Sequence, residues 1–341
     1  MAKEDSYSWE RLCELIWSCA IGQAIHVFVE LGIPEILNAG PKSTDQLAAA
    51  TGADAWSLEM VLRALATFDV LSIVGEQEQY VLTQMGRLLL RSAPEPSAGE
   101  AGEFFDTIYR PLGALIDMIR TGDVAFDRVY GKSFYEHLAE RPALAAHFYD
   151  TMEANATQRY AGLSSVYDFS GVKRVVDVGG GEGSLLVQIL REHANLKGIV
   201  FDLPMVSGRA RARIEAAGLS HRCEIVSGDF RDTFPCKGDL YVLAQILNNW
   251  RDEEARGILA NCRAVMDADA RLLVLEPIYV AKSSSRLLML VSLGVMAQRG
   301  GRTRSEMQLR SLITGVGLQI DDILQLPSNA TYAIKARRID I

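Results

Sequence analysis

The segment Asp177-Val-Gly-Gly-Gly-Glu-Gly183 constrains the fold of this 341-residue chain more than any other. It follows a short apolar strand, Arg174-Val-Val-Asp-Val178, and precedes the apolar run Leu185 to Leu190, which opens a helix. Short apolar strands recur at Gly198–Asp202, Cys223–Val226, Leu240–Leu243 and Arg271–Leu275, with helical stretches between them. Such alternation predicts an α/β fold, a Rossmann-like doubly wound and mostly parallel sheet. Two final strands are expected at Gln319–Gln325 and Tyr332–Lys335, around Pro327-Ser-Asn329. The glycine loop then lies at the switch point of the sheet, where ligands bind. Its glycines let the backbone turn tightly and approach a ligand.

The spacing excludes one ligand class. A dinucleotide fingerprint needs GxGxxG. Reading from Gly179 or Gly181, the third glycine position falls on Ser184 or Leu186. Asp177 at the mouth of the loop is a poor neighbour for a pyrophosphate and favours a cation. S-adenosylmethionine has an ammonium, a sulfonium and no phosphate, and its carboxylate can take backbone N–H groups at a helix start. Asp202 falls 19 residues after Gly183, at the end of the second strand, where a carboxylate accepts ribose hydroxyls. Asp229 and Phe230 follow the third strand, where an acid and an aromatic ring can hold an adenine amine and face. The competing reading is a set of structural turns without a ligand.

The first hundred residues differ in pattern. Trp9–Val29 is a long apolar-periodic stretch, interrupted by Gly32 and Pro34. Ser43-Thr-Asp45 caps a short helix, Gln46–Thr51, and a second helix spans Ala55–Phe68. Val70–Val74 and Tyr80–Thr83 flank a polar tip and read as a hairpin. Helix, helix, hairpin is the order of a winged helix, which invites a DNA-binding reading. Charge opposes it: residues 1–100 hold 6 Lys+Arg against 14 Asp+Glu, and Arg63 is the one cation of the candidate recognition helix. A DNA reader needs a basic face. The other reading is a packing or dimerisation module. Ser92–Ala98 is a turn-rich joint, and residues 101–168 read as helices rich in aromatics, either core or a cap over a pocket. The expected division is 1–100, 101–168 and 169–341.

The whole chain carries a net charge of −8, against a nucleic-acid or anionic-membrane partner. Its acidic N-terminus does not resemble a secretory signal. The longest apolar candidate for a membrane span is taken to be Leu287–Ala297, too short for one and read as a buried helix. Cys13, Cys19, Cys223, Cys236 and Cys262 are odd in number and scattered, so neither a disulfide framework nor a zinc cluster is expected. A reducing cytoplasm fits, with no metal.

Val175–Gly183, Val200-Phe-Asp-Leu-Pro204, Gly228-Asp-Phe230, Leu247–Trp250 and Arg302-Thr-Arg-Ser-Glu306 together resemble, in that order, the class I S-adenosylmethionine-dependent O-methyltransferases. The closer group includes plant caffeic acid O-methyltransferase and bacterial antibiotic-tailoring enzymes. The resemblance covers essentially the whole chain. It implies a winged-helix-like N-terminal dimerisation domain and a homodimer, into which Trp9–Val29 and Arg286–Ala297 would be buried. It also implies cofactor contacts by Asp177, Gly179, Gly181, Asp202, Leu203, Asp229 and Phe230. Phe148-Tyr-Asp-Thr-Met152 resembles the substrate-lining helix, so Phe148 and Met152, with Trp250, are the expected substrate contacts.

One departure bears on mechanism. The family's Leu-His-Asp-Trp reads Leu247-Asn-Asn-Trp250, so Asn248 stands where the family carries its general base. An amide has no usable basicity near neutral pH. Glu276 matches one carboxylate that would hold such a His, and the second falls near Gly301. The sequence therefore predicts methyl transfer to a small, flat aromatic secondary metabolite by proximity. Asn248 and Asn249 would orient the substrate, and Glu276 would handle a proton or orient a donor. A homologue that binds the cofactor but hydroxylates, cyclises or rearranges its substrate is the second reading. A ligand-sensing winged-helix regulator is the third.

Overall fold

The computed structural model describes residues 2–93, 104–154, 156–232, 235–281, 283–327 and 331–339. It divides into two compact units, one ending at Asp106 and one beginning at Thr107.

The first unit holds helices Ala2–Glu30, Ile33–Asn38, Thr44–Thr51 and Ala55–Thr67, then the antiparallel hairpin β1 (Leu71–Val74) and β2 (Gln79–Leu82). Gly32 adopts a left-handed φ of 65° after the first helix. The third helix starts at a reciprocal capping box, in which the Ser43 hydroxyl accepts from Gln46 N–H and the Gln46 side chain accepts from Ser43 N–H. Phe28, Ile33, Leu47, Leu62, Leu65 and Tyr80 form the core. Trp9, Leu15, Ile16 and Trp17 on the first helix remain exposed. Within this helix, Ser8–Glu30 is long and apolar enough to cross a membrane by length and composition. It replaces Leu287–Ala297 as the longest apolar candidate, because its few charges do not interrupt the apolar pattern. Residues 94–98 of the expected joint lie outside the described residues.

The second unit is built on one large sheet. Its strands are β3 (Arg174–Val178), β4 (Lys197–Asp202), β5 (Cys223–Ser227), β6 (Leu240–Ala244), β7 (Arg271–Tyr279), the two-residue β8 (Arg304–Ser305), β9 (Leu318–Gln325) and β10 (Thr331–Arg338). The order is β5-β4-β3-β6-β7-β10-β9, with β8 beside β7. β5 to β7 run parallel, while β10 is antiparallel to both β7 and β9. Alternate residues enter opposite cores: Val176, Leu272 and Val274 face one, Val175, Leu273 and Leu275 the other. A sheet buried on both faces explains the near-continuous apolar runs that made these strands legible. Chain order reverses between β3 and β6. The parallel register aligns Asp177 with Val200 and Asp202 with Ser227, so the acids emerge at one edge of the sheet.

Two expectations need correction. β7 continues past Leu275 to Tyr279, so Glu276 lies inside the strand, opposite Tyr332. The helix Arg286–Arg299 is not buried along its apolar face: Leu287 is 70% exposed and Leu290 65%. Its buried side is the small and polar one, Ser292, Gly294, Ala297 and Gln298. A Cβ on Gly294 would stand 3.0 Å from Ile108, so close packing there selects glycine. Ser328 and Asn329, in the expected final turn, lie outside the described residues.

Candidate active site

β3 hands over to helix Ser184–Glu192 through the glycine loop, in which Gly179, Gly181 and Gly183 have φ of 72°, 57° and 83°. L-residues rarely adopt these values. Space enforces the same choice, since a Cβ on Gly179 would lie 2.4 Å from Ile246 Cδ1 and one on Gly180 2.7 Å from Asp177 Cγ. Asp202 at the end of β4 braces the loop. Its Oδ2 accepts from Gly181 N–H at 2.7 Å and its Oδ1 from Leu203 N–H at 2.6 Å.

Asp177 is different. It is 1% exposed, and neither carboxyl oxygen has a hydrogen-bond partner among the described residues. Burial, reinforced by the neighbouring Asp202, pushes its pKa up to about 7. Burial also raises Asp202, against the two N–H groups it accepts from. Asp229 moves the other way: burial opposes ionisation, but Arg231 overcomes it with hydrogen bonds at 2.6 and 3.0 Å. The Arg231 guanidinium lies 5.2 Å over the Trp250 ring.

These groups share one cavity. Asp177, Gly179, Gly181, Asp202, Leu203, Asp229 and Phe230 line it, together with Phe148, Met152, Asn249 and Trp250. Helices Phe134–Ala139 and Pro142–Ala154 contribute Tyr135, Tyr149 and Glu153 to the same wall. Of the aromatics in this region, Phe126 and Phe134 are buried core, while Phe148 serves both core and cavity. No histidine is among the lining residues. His137 is buried, and His147 and His221 are exposed.

Asn248 and Glu276 are not among the lining residues, although Gln245, to which Asn248 donates, is. Glu276 is 1% exposed and accepts from Asn248 N–H at 3.3 Å. Burial pushes its pKa up to about 8, although backbone N–H groups of Ile246–Asn248 and the Arg304 charge act to lower it. The Asn248 side chain donates to Gln245 Oε1 at 3.1 Å. Asn249 reaches the cavity instead, because the turn Leu247–Asn249 rotates successive side chains to different faces. Gln245, at a left-handed φ of 57°, precedes the turn, and its carbonyl accepts from Asn249 Nδ2 at 2.8 Å.

Three residues support this turn; the sequence reading assigned no role to Arg304 or Arg299 and marked Gly301 only as the place near which a carboxylate is missing. Arg304, 2% exposed, donates to the carbonyls of Leu247 and Trp250 at 2.6 and 2.7 Å and to Asp252 at 2.9 Å. Gly301 backs directly onto the turn, where a Cβ would sit 2.1 Å from the Asn248 carbonyl oxygen. Arg299 lines the cavity and donates to Asn249 Oδ1 at 2.9 Å. Arg304 lies within the quoted 302–306 motif, but nothing in the sequence assigned it this contact. Among the described residues, no group of three His, Cys, Asp or Glu side chains could hold a metal.

The O-methyltransferase domain family is matched over residues 110–319, and the O-methyltransferase dimerisation domain over residues 13–92. The chain belongs to the O-methyltransferase family. The mitomycin biosynthesis 6-O-methyltransferase of Streptomyces lavendulae is 33% identical over 317 residues, 93% of this chain and 90% of that one. The structure of the mitomycin 7-O-methyltransferase MmcR superposes with a TM-score of 0.93 at 31% identity, covering 99% of this chain and 100% of that one. NcsB1, an O-methyltransferase from neocarzinostatin biosynthesis, was solved with S-adenosylmethionine and 2-hydroxy-5-methyl naphthoic acid. It superposes at 0.82 and 30% identity, covering 93% and 96% of the two chains. The methyltransferase fold with its mostly parallel sheet is thus the one expected, and the helical module before it is the dimerisation domain.

Two stability outcomes follow from the turn of this methyltransferase. Arg304→Ala removes the guanidinium donor from the Trp250 carbonyl and leaves Leu247 O with only the Trp250 N–H at 3.3 Å, which is expected to cost about 1–3 kcal/mol; an unchanged urea midpoint would contradict that role. Glu276 binds a proton up to about 8 when folded but releases it near its ordinary 4.5 when unfolded. Its contribution is therefore favourable at low pH and is lost as pH rises through that window. Glu276→Gln should gain stability relative to wild type between about pH 5 and 8, and a difference independent of pH would refute the assignment.

Proposed function

We propose that the chain is an S-adenosylmethionine-dependent methyltransferase acting on a small aromatic secondary metabolite. The observation that carries this is Asp177, a buried carboxyl without a partner beside a loop whose N–H groups and glycines admit a ligand. A cationic group satisfies that orphan, whereas a pyrophosphate would not. In this reading Gly179, Gly181 and Leu203 contact the cofactor through backbone, Asp202 accepts its ribose hydroxyls, and Asp229 and Phe230 hold its adenine. When bound, S-adenosylmethionine supplies an electrophilic methyl on a sulfonium.

The chain's own contribution is placement. Asn248 occupies the position where the family resemblance expects its catalytic His, and no histidine lines the cavity. General-base help is typically worth about 10²–10⁴ in rate, so its absence narrows the acceptor to one reactive without it. An acidic phenol, a carboxylate, an amine or a ring nitrogen qualifies. Phe148, Met152 and Trp250 would clamp a flat substrate, and Asn249 would orient it. Asn248 and Glu276 hold the turn rather than touch substrate. The helices between Arg110 and Val166 would serve as the cap, within the same compact unit as the cofactor domain at 169–341.

A homodimer accounts for the apolar surfaces. Trp9, Ile16 and Trp17 on one helix, and Leu287, Leu290 and Val291 on another, are exposed in the single chain and would be buried against a second copy. All five cysteines are free. The net charge of −8 disfavours nucleic acid and anionic membranes as partners.

Incubation with methyl-deuterated S-adenosylmethionine and a metabolite extract from cells lacking the gene should place deuterium on oxygen or nitrogen of a small molecule. S-adenosylhomocysteine should appear in equal amount. A metabolite consumed without either would contradict methyl transfer and support a cofactor used only as charge. Light scattering at micromolar concentration should report twice the chain mass of 37.5 kDa, and a monomer would contradict the dimer.

A further inference from the structure

Arg299 is a cation held in the substrate half of the cavity without an acid. It is the last residue of helix Arg286–Arg299, and Gly300, at a φ of 78°, ends the helix there. Its guanidinium lies 5.0 Å from the Phe134 ring centroid and 5.5 Å from that of Phe148. Nε donates to Gln298 Oε1 at 2.7 Å and Nη1 to Asn249 Oδ1 at 2.9 Å. Both acceptors are neutral amides. Only two of its five N–H donors have partners among the described residues.

Of the five carboxylates on the cavity wall, Asp177 lies buried beside the glycine loop with no ion-pair partner among the described residues, and the other four are engaged elsewhere. Asp229 pairs with Arg231, Glu153 with Arg213, and Glu182 with Arg209. Asp202 accepts from the glycine loop. None comes within ion-pairing distance of Arg299 among the described residues. The aromatic faces and the negative end of the helix allow a cation to stay there without a counter-ion. They leave its charge uncompensated toward the cavity.

We propose that Arg299 is a specificity-determining residue that selects an aromatic substrate bearing a carboxylate. This rests on the methyltransferase reading above and narrows its substrate class. A guanidinium with free donors on one side matches a planar carboxylate better than any neutral group. Phe148 would stack the ring while Arg299 takes the acid. The neutrality of Asn249 is part of the device: an aspartate there would pair with Arg299 and quench it.

The test uses the full-length protein saturated with S-adenosylhomocysteine, whose binding by calorimetry is measured first as the control. If it does not bind, the methyltransferase reading itself fails. With it bound, 3-hydroxy-2-naphthoate and the neutral 3-hydroxy-2-naphthamide are titrated separately. The acid should bind about ten-fold or more tightly than the amide. Arg299→Gln should abolish the preference, Arg299→Lys should retain part of it, and Asn249→Asp should abolish it by charge alone. Equal binding of acid and amide by the wild type, binding of neither, or a preference that survives Arg299→Gln would overturn the proposal. If Arg299→Gln no longer binds S-adenosylhomocysteine, Asn249→Asp decides alone: a lost preference supports the proposal, and a retained one overturns it.

Discussion

A buried carboxyl without a partner is the constraint around which this molecule is arranged. Asp177 is the penultimate residue of the central strand β3, and both its oxygens lack a partner among the described residues. An ionised carboxylate in that position is costly, and a neutral one still forgoes its hydrogen bonds. Folded proteins rarely leave such a group unmatched without a use for it. The glycine loop, the bracing of Gly181 by Asp202 and the packing of Ile246 against Gly179 hold an opening in front of it. The sheet beneath is buried on both faces, and its parallel register brings the other acids to the same edge.

The second support is the turn at Leu247–Trp250. Arg304 fixes its carbonyls from below, Glu276 accepts from its N–H groups and Gly301 closes on its back. A turn held from three sides presents one side chain, Asn249, at a defined place on the cavity wall. The side chain before it, Asn248, donates to Gln245, which itself lines the cavity.

The strands, the glycine loop and the acids at strand ends were legible because they are local. Each is a short apolar run followed by a turn residue, and the sheet needs nothing else to position them. The cofactor-side residues named from sequence all line one cavity for this reason. The catalytic candidates fared differently: Asn248 and Asn249 are adjacent, and only the turn's rotation decides which one faces the cavity. Glu276 could not be placed from sequence because β7 runs four residues beyond its apolar core. Arg299 was invisible for another reason. It closes a helix whose pattern is dominated by leucines, and its partner Asn249 lies 50 residues away. The exposed apolar face of that helix also contradicted a pattern that reads as burial, since a dimerising surface and a core have the same composition.

The central claim is that Asp177 receives a cation. Calorimetric titration of S-adenosylmethionine near neutral pH, repeated in two buffers of different ionisation enthalpy, measures the protons exchanged on binding. A carboxyl with a pKa of about 7 in the free chain is partly protonated there, so a bound cation should expel that proton. Affinity should then rise with pH up to about 8, and Asp177→Asn should show neither effect. Tight binding with no proton release and no dependence on Asp177 would contradict the account.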